Sequence, residues 1–320
     1  MRDPLERLSV SSIPRDLELH SLGMRVAIVT GSNKGVGFGI VEKLSRQLDR
    51  KVWDVYLTAR DTDRGQKSVN ELAVKGLAVK FHQLDITDPG SRSRLVDFMR
   101  NNYPEGVNIF VNNAGIAYKF DSTAPFGEQA SVTIATNFTA TMAMYHDILP
   151  ILAKHARVVN VSSIVGLYSL KKLGPELYDK FTSPMTTEEL DVLVEEFIKL
   201  AQKSEHQSKG WPDSAYGVSK LALTKATFIE AEKLARDPRK ILLNCVINMP
   251  NLCEPCSLCP FQCCPGYVAT DMSSHKGTKT IMEGADTPSY LALLPEDTCE
   301  PSGKFVSERK VVPWSKEPLV

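Results

Sequence analysis

The chain has 320 residues, and Lys+Arg and Asp+Glu both number 38, giving a formal net charge of zero. That length allows one large α/β domain or two small ones with a sizeable core. The balanced charge offers no footprint for nucleic acid or another polyanion, and no apolar run reaches the roughly 18 residues of a membrane span.

Residues 1–23 are polar and mixed in charge, without the apolar centre of a signal peptide. Their acids, Asp3, Glu6, Asp16 and Glu18, argue against a mitochondrial presequence. The expectation is a disordered extension, with Met24 as an alternative start, on a cytoplasmic protein. Periodic sequence begins at Met24. Arg25 to Val29 is a β-branched apolar run, read as a buried strand. It enters the glycine-rich stretch Thr30 to Gly39, followed by apolar residues at helical spacing to Leu44. Strand, glycine turn and helix form a phosphate-binding unit, in which glycines admit a pyrophosphate to the helix N-terminus. A tight turn without a ligand is the alternative reading.

The second strand, Val52 to Leu57, ends in Thr58-Ala59-Arg60. An acid near this point would hold the ribose 2′-hydroxyl of NAD. Arg60 stands there instead, with Arg64 nearby and Lys34 in the glycine turn, and cations suit the 2′-phosphate of NADP. A solvated arginine is the bland alternative. Strands follow at Leu77 to Leu84, with Asp85 at its carboxyl end, at Val107 to Val111, leading into Asn112-Asn113-Ala114-Gly115, and at Arg157 to Val161, leading into Ser162-Ser163. Helical patterns span 65–75, 88–101 and 129–146, the last carrying Asn137, a residue type usually solvated or locally bonded in mid-helix. The alternation predicts an α/β fold: one doubly wound, Rossmann-type parallel sheet with helices on both faces, its ligands at the strands' carboxyl ends.

The alternation pauses between about Gly166 and Pro212, where an acidic helix spans 186–202. It resumes with Ser214-Ala215-Tyr216-Gly217-Val218-Ser219-Lys220, a helix running to about Arg236, and a sixth strand from Ile241 to Asn244. Tyr216 and Lys220 share one helix face, a turn apart. An ammonium near a phenol favours the phenolate and equips the tyrosine for proton transfer near neutral pH.

Thr30-Gly31-x-x-x-Gly35-x-Gly37, Asp85, Asn112 to Gly115, Asn137, Val161-Ser162-Ser163, Tyr216-x-x-x-Lys220 and Pro265-Gly266 occur in that order. Together they resemble the short-chain dehydrogenase/reductase superfamily, and more closely the monomeric, NADPH-dependent carbonyl reductases of animals. Supporting stretches are Leu57 to Asp61, Phe81 to Asp85, Gly210 to Pro212, Cys263 to Tyr267, Tyr290 to Pro295 and Gly303 to Ser307. The resemblance covers 24–314 as one reductase domain, leaving 315–320 as a tail. It implies reduction of ketones, aldehydes and quinones with NADPH. Tyr216 would be the general acid, Lys220 would lower its pKa and hold the nicotinamide ribose, and Ser163, rather than its neighbour Ser162, would orient the carbonyl. Asn137 would hold a water linking Lys220 to solvent. Gly31, Ser32, Asn33, Lys34, Gly35, Val36, Gly37, Arg60, Asp85, Ile86, Asn112, Ala114, Gly115, Pro265, Gly266, Val268 and Thr270 would contact cofactor together with Tyr216 and Lys220. Ile164, Trp211 and Tyr267 would be walls or neighbours of an apolar substrate pocket. The long 166–212 connection implies a monomer, because it would cover the surface other members use to form tetramers. No membrane or nucleic-acid partner is implied.

One stretch departs from the family pattern. Cys245 to Gln262 stands where the family has about one residue, and six of the chain's seven cysteines lie between Cys245 and Cys264, the seventh being Cys299. The spacing Cys253-x-x-Cys256-x-x-Cys259-x-x-x-Cys263 approaches an iron–sulfur run and could also hold zinc. The competing readings are a splicing accident within an ordinary reductase, which we favour over a metal site, or a new lid. An insert before the loop that covers the nicotinamide carries a second expectation: a folded chain that binds NADP at most and turns over weakly.

Overall fold

The computed structural model describes residues 23–119, 121–246, 268–275 and 277–317. Eight strands form one sheet: β1 (Arg25–Val29), β2 (Trp53–Ala59), β3 (Lys80–Gln83), β4 (Val107–Asn112), β5 (Leu152–Val161), β6 (Leu242–Val246), β7 (Phe305–Ser307) and β8 (Lys310–Val311). Their order is β3-β2-β1-β4-β5-β6-β7-β8, parallel throughout β3 to β7. The chain reverses direction of winding between β1 and β4, which opens a crevice above their carboxyl ends.

Both sheet faces are covered, and the side-chain alternation of β1 demonstrates it. Val26 and Ile28 join the apolar core on one face, while Ala27 and Val29 join the core on the other. The helices are α1 (Gly35–Gln47), α2 (Thr62–Val74), α3 (Pro89–Asn102), α4 (Phe126–Ile134), α5 (Thr141–Ile148), α6 (Ile164–Lys171), α7 (Pro175–Thr182), α8 (Thr187–Gln202), α9 (Ala215–Leu234), α10 (Ile281–Gly284) and α11 (Asp286–Ala292). The acidic helix is α8. A capping box, Thr186 with Glu189, starts it, and Leu190, Leu193, Val194, Phe197 and Ala201 bury one stripe against α4 and α9.

Four features differ from the sequence reading. The expected 129–146 helix is a longer run interrupted by a π-turn at Ala135–Ala140 that carries Asn137. β5 starts at Leu152, five residues early, because an irregularity around His155 (φ 58°) shifts its register on β4 between Val107 and Ile109. The sheet is not wholly parallel: β8 pairs antiparallel with β7. Their two-residue turn, Glu308 and Arg309, holds φ of 47° and 63°, as a tight hairpin requires. Ion pairs from Lys279 to Glu308 (2.7 Å) and from Arg309 to Asp286 (2.8 Å) hold that turn without glycine. Finally, Cys245 and Val246, assigned to the insert from sequence, are buried residues of β6, paired with Phe305 and Val306 of β7. The departure therefore begins at Ile247.

Candidate active site

The glycine turn leaves β1 at Thr30 and enters α1 at Gly35. Gly31 (φ 57°) passes so close to β4's end that a methyl group there would stand 2.8 Å from the Ala114 Cα. A methyl at Gly37 would overlap the Asn113 amide nitrogen. Asn113 clasps the turn, donating from Nδ2 to the carbonyls of Thr30 (2.9 Å) and Gly31 (3.0 Å). Thr30 Oγ1 in return accepts from the backbone N–H of Asn113 and of Ala114, both at 3.0 Å. Ser32 is fully buried and pins β1 to β2, its Oγ donating to the Val29 carbonyl (2.8 Å) and accepting from Thr58 N (3.0 Å). Asn33 is held at its carbonyl by Ser68 Oγ (2.7 Å). The result is a rigid concave backbone at the N-terminus of a 13-residue helix, fit for a pyrophosphate. Val36 sits partly buried in its first turn.

At the end of β2, Asp61 caps α2, accepting from Arg64 N (2.9 Å) and pairing with the Arg64 guanidinium. The acid that could have served a 2′-hydroxyl is thereby engaged, and Arg64 with it. Arg60 is exposed and has no ion-pair partner among the described residues. Lys34 pairs with Asp271 at 2.8 Å, joining the glycine turn to the segment that follows Val268. A methyl on Gly35 would touch the Thr270 side chain at 3.3 Å, so this segment lies against the turn. Thr270 begins the short turn Asp271–Ser273, and Val268 is buried in a bridge to Lys279.

Other cofactor candidates are placed less openly. Asp85 folds back on itself, accepting from Thr87 N (2.9 Å) and Thr87 Oγ1 (2.7 Å). Ile86 is buried, with Arg92 on its carbonyl. Asn112 points into the interior, where it donates to Asn160 Oδ1 (2.9 Å), and Asn160 donates to Thr227 Oγ1 (2.8 Å). This chain of bonds ties β4 and β5 to α9. Sequence reasoning placed the ribose contact on Asn112 and missed Asn113, whose side chain is the one on the turn. Adjacency in the motif was the only signal, and strand alternation separates the two.

The chemistry gathers at the start of α9. Ser214 caps the helix, accepting from Gly217 N at 3.1 Å. Lys220 Nζ lies 5.8 Å from the centre of the Tyr216 ring and donates to the Val161 carbonyl at 2.8 Å. Lys220 is 5% exposed, and burial pushes its ammonium down to about 8. A methyl on Gly115 would stand 3.1 Å from Asn137 Oδ1 and 3.7 Å from Lys220 Nζ, so β4's end, the π-turn and α9 meet here. Asn137 is fully buried. Its amide brackets Ile116, accepting from N and donating to O, both at 2.8 Å, and also donates to Ser219 Oγ at 3.0 Å. Ser219, which sequence reasoning passed over, donates to the Tyr216 carbonyl at 2.7 Å. A π-turn at such a point is a frequent companion of functional sites.

The two serines separate clearly. Ser162 is buried, bonded to the Lys220 carbonyl (3.1 Å) and to Thr224 Oγ1 (2.7 Å). Ser163 is partly exposed and caps α6, its Oγ accepting from Val165 N at 3.2 Å, which leaves its O–H as a donor. Among the proposed pocket walls, Ile164 is buried in the first turn of α6. Trp211 is 3% exposed and packs its ring against Phe181 and Phe197 in the core, the place of a neighbour rather than of a wall. Pro265, Gly266 and Tyr267 lie outside the described residues, as do Cys253, Cys256, Cys259, Cys263 and Cys264. Among the described residues no group of three or more His, Cys, Asp or Glu could hold a metal, and no helix is long and apolar enough to cross a membrane.

The short chain dehydrogenase family model matches residues 25–175. Carbonyl reductase (NADPH) 1 of Homo sapiens is 46% identical over 297 residues, covering 92% of this chain and all of the relative. Carbonyl reductase (NADPH) 3 of Mus musculus is also 46% identical, over 91% of this chain and 98% of its own length. Among solved structures, salutaridine reductase from Papaver somniferum superimposes with a TM-score of 0.73 at 30% identity, covering 88% of this chain and 99% of that one. Menthone neomenthol reductase from Mentha piperita gives 0.70 at 29% identity, over 90% and 99%.

Proposed function

The chain belongs to the short chain dehydrogenase family, and on that footing we propose that it reduces ketones, aldehydes and quinones to alcohols with NADPH. The observation that carries this reading is the buried Lys220 ammonium, fixed 5.8 Å from the Tyr216 ring and bonded to the Val161 carbonyl. Its charge stabilises a developing phenolate and so eases release of the Tyr216 proton. Tyr216 gives that proton to the carbonyl oxygen. Ser163 donates a hydrogen bond to the same oxygen and orients it, a donor placed where negative charge grows. Asn137 and Gly115 keep the Lys220 side chain in line, and proton resupply to Tyr216 passes along Lys220.

The cofactor fits this chain. The turn at Gly31 to Gly37 is a cradle that side chains would fill, and the α1 N-terminus complements a pyrophosphate. Arg60 would pair with the 2′-phosphate, while Lys34 of the glycine turn is held by Asp271. When bound, NADPH supplies the hydride. The relatives' NADPH names support this cofactor choice.

The reading of a folded but idle chain is not favoured. Beyond the departure, the chain resumes contact with the glycine turn through Thr270 and the Lys34–Asp271 pair. The packing of α8 over α4 supports a monomer, because it covers an apolar face that would otherwise be open. Cys245 and Cys299 are both free thiols, which suits a reducing compartment such as the cytoplasm. Purified protein mixed with NADPH and menadione tests the proposal: loss of NADPH absorbance that requires both the protein and the quinone supports it, and none refutes it.

A further inference from the structure

Helix α6 carries Ser163 as its cap, and α9 carries Tyr216 and Lys220. The two helices touch through glycine. A methyl group on Gly166 would stand 2.9 Å from the Lys220 carbonyl carbon, 3.0 Å from Leu221 N and 3.1 Å from the Lys220 oxygen. All three are backbone atoms of a helix and cannot rotate aside. From the other side, a methyl on Gly217 would overlap Ser169 Oγ. Gly166 and Ser169 lie three apart on one face of α6, and Gly217 and Lys220 lie three apart on one face of α9.

Gly166 is absent from the residues with positive φ, so its backbone would accept alanine. Helix propensity prefers alanine there by roughly 0.5–1 kcal/mol. The glycine serves close approach rather than a special backbone shape. Its N–H bonds to the Ser163 carbonyl at 3.0 Å, so the contact lies one turn from the hydroxyl that would orient the substrate. Ser162 is tied to Lys220 and Thr224 of α9, while Gly166 is bonded to the Ser163 carbonyl. A shift of α6 at Gly166 is thus taken up across Ser163, between that anchor and the helix, and changes its distance from Tyr216.

We propose that Gly166 is a positioning residue: its missing side chain sets the α6–α9 spacing that brings Ser163 into register with Tyr216. This rests on the reductase reading of those two residues. The test compares wild type, Gly166→Ala, Gly217→Ala, Ser169→Ala and the double variant Gly217→Ala/Ser169→Ala, using NADPH and 4-nitrobenzaldehyde. Displacement of a positioning element by about 1 Å costs roughly 100-fold in rate. Gly166→Ala should lose about that much kcat while its NADPH Kd changes far less, since the turn, β2 and β4 are untouched and only the Lys220 end of the cofactor site lies beside the substitution. Gly217→Ala should also lose kcat, and adding Ser169→Ala, which removes the nearer of two crowded oxygens, should restore part of it, the Ser214 cap oxygen remaining 2.8 Å from the new methyl. A role in stability alone would lower Tm without separating kcat from Kd. Crystal structures of wild type and Gly166→Ala give a readout independent of turnover: Ser163 should move away from Tyr216 by about 1 Å. Unchanged kcat in Gly166→Ala, or an unmoved Ser163, overturns the proposal. An inactive wild type would instead sink the reductase reading and leave the crystallographic distance to decide this one.

Discussion

Lys220 Nζ donates a 2.8 Å hydrogen bond to the carbonyl of Val161, two residues before Ser163. One bond thus joins the helix bearing the proton donor to the strand that delivers the substrate-orienting serine. Lys220 is a buried cation with no ion-pair partner among the described residues, and burial holds it down to about 8.

That depressed value predicts opposite trends in activity and stability. Above about pH 8 the cofactor-free enzyme loses the Lys220 charge, so kcat/KM should fall on the alkaline side. An unfolded lysine titrates near 10.4. Between about 8 and that value the unfolded chain keeps a proton the folded chain has released, so this group adds stability as pH rises. Melting curves of wild type and Lys220→Met across that window check the sign. The difference in Tm between them should change with pH, and a constant difference contradicts the assignment.

Ser162 and Ser163 should fail in different ways. Ser163→Ala removes a donor at the reacting oxygen and should lower kcat by roughly 100-fold, with the loss of its α6 cap costing about 0.5–2 kcal/mol of stability. Ser162→Ala removes two buried hydrogen bonds but leaves Thr224 Oγ1 on the Lys220 carbonyl, so it should cost about 0.5–1.5 kcal/mol of stability and leave kcat within about tenfold. Paired kinetics and denaturant titrations distinguish them.

Arg60 should govern cofactor choice. Charge reversal in Arg60→Glu should shift the ratio of kcat/KM for NADPH over NADH by at least about 100-fold toward NADH. Asp61 should not substitute for it, because it is committed to capping α2.

Acid stability should report on Glu230, a 4% exposed residue of α9. Burial raises its pKa, but His146 at 3.6 Å and the Lys233 ammonium at 2.8 Å prevail and hold the carboxyl at about 2. A depressed carboxylate stabilises fully above its unfolded value and loses that contribution as pH falls through the folded one. The loss should span pH 4.5 to about 2. Glu230→Gln should be less stable at pH 7 and show a flatter Tm profile across that interval.

The placing of Tyr216 and Lys220 on one helix face, the glycine turn and the alternation of strands with helices were legible because each rests on local spacing. Tyr216 and Lys220 sit a helical turn apart, and β1, β4 and β6 are largely apolar runs between turn residues. Features set by tertiary contact were not legible. The β7–β8 hairpin uses Glu308 and Arg309, held in left-handed geometry by distant charges, where sequence rules look for Asn-Gly. Asn137 looked like a surface asparagine until the π-turn buried it against Ile116. Trp211 carried no sign of its aromatic neighbours, since Phe181 and Phe197 arrive from α7 and α8. Cys245 was counted with the cysteines that follow it, although β7 holds it in the sheet.

The central claim is that Tyr216 delivers the proton in an NADPH-dependent carbonyl reduction. Its most direct test is turnover of 4-nitrobenzaldehyde with NADPH by wild type and Tyr216→Phe, with NADPH binding measured on both. Wild type should produce the alcohol in step with NADPH loss, and the variant should bind NADPH as tightly but turn over at least about 100-fold more slowly. Equal rates in the two proteins would contradict the account.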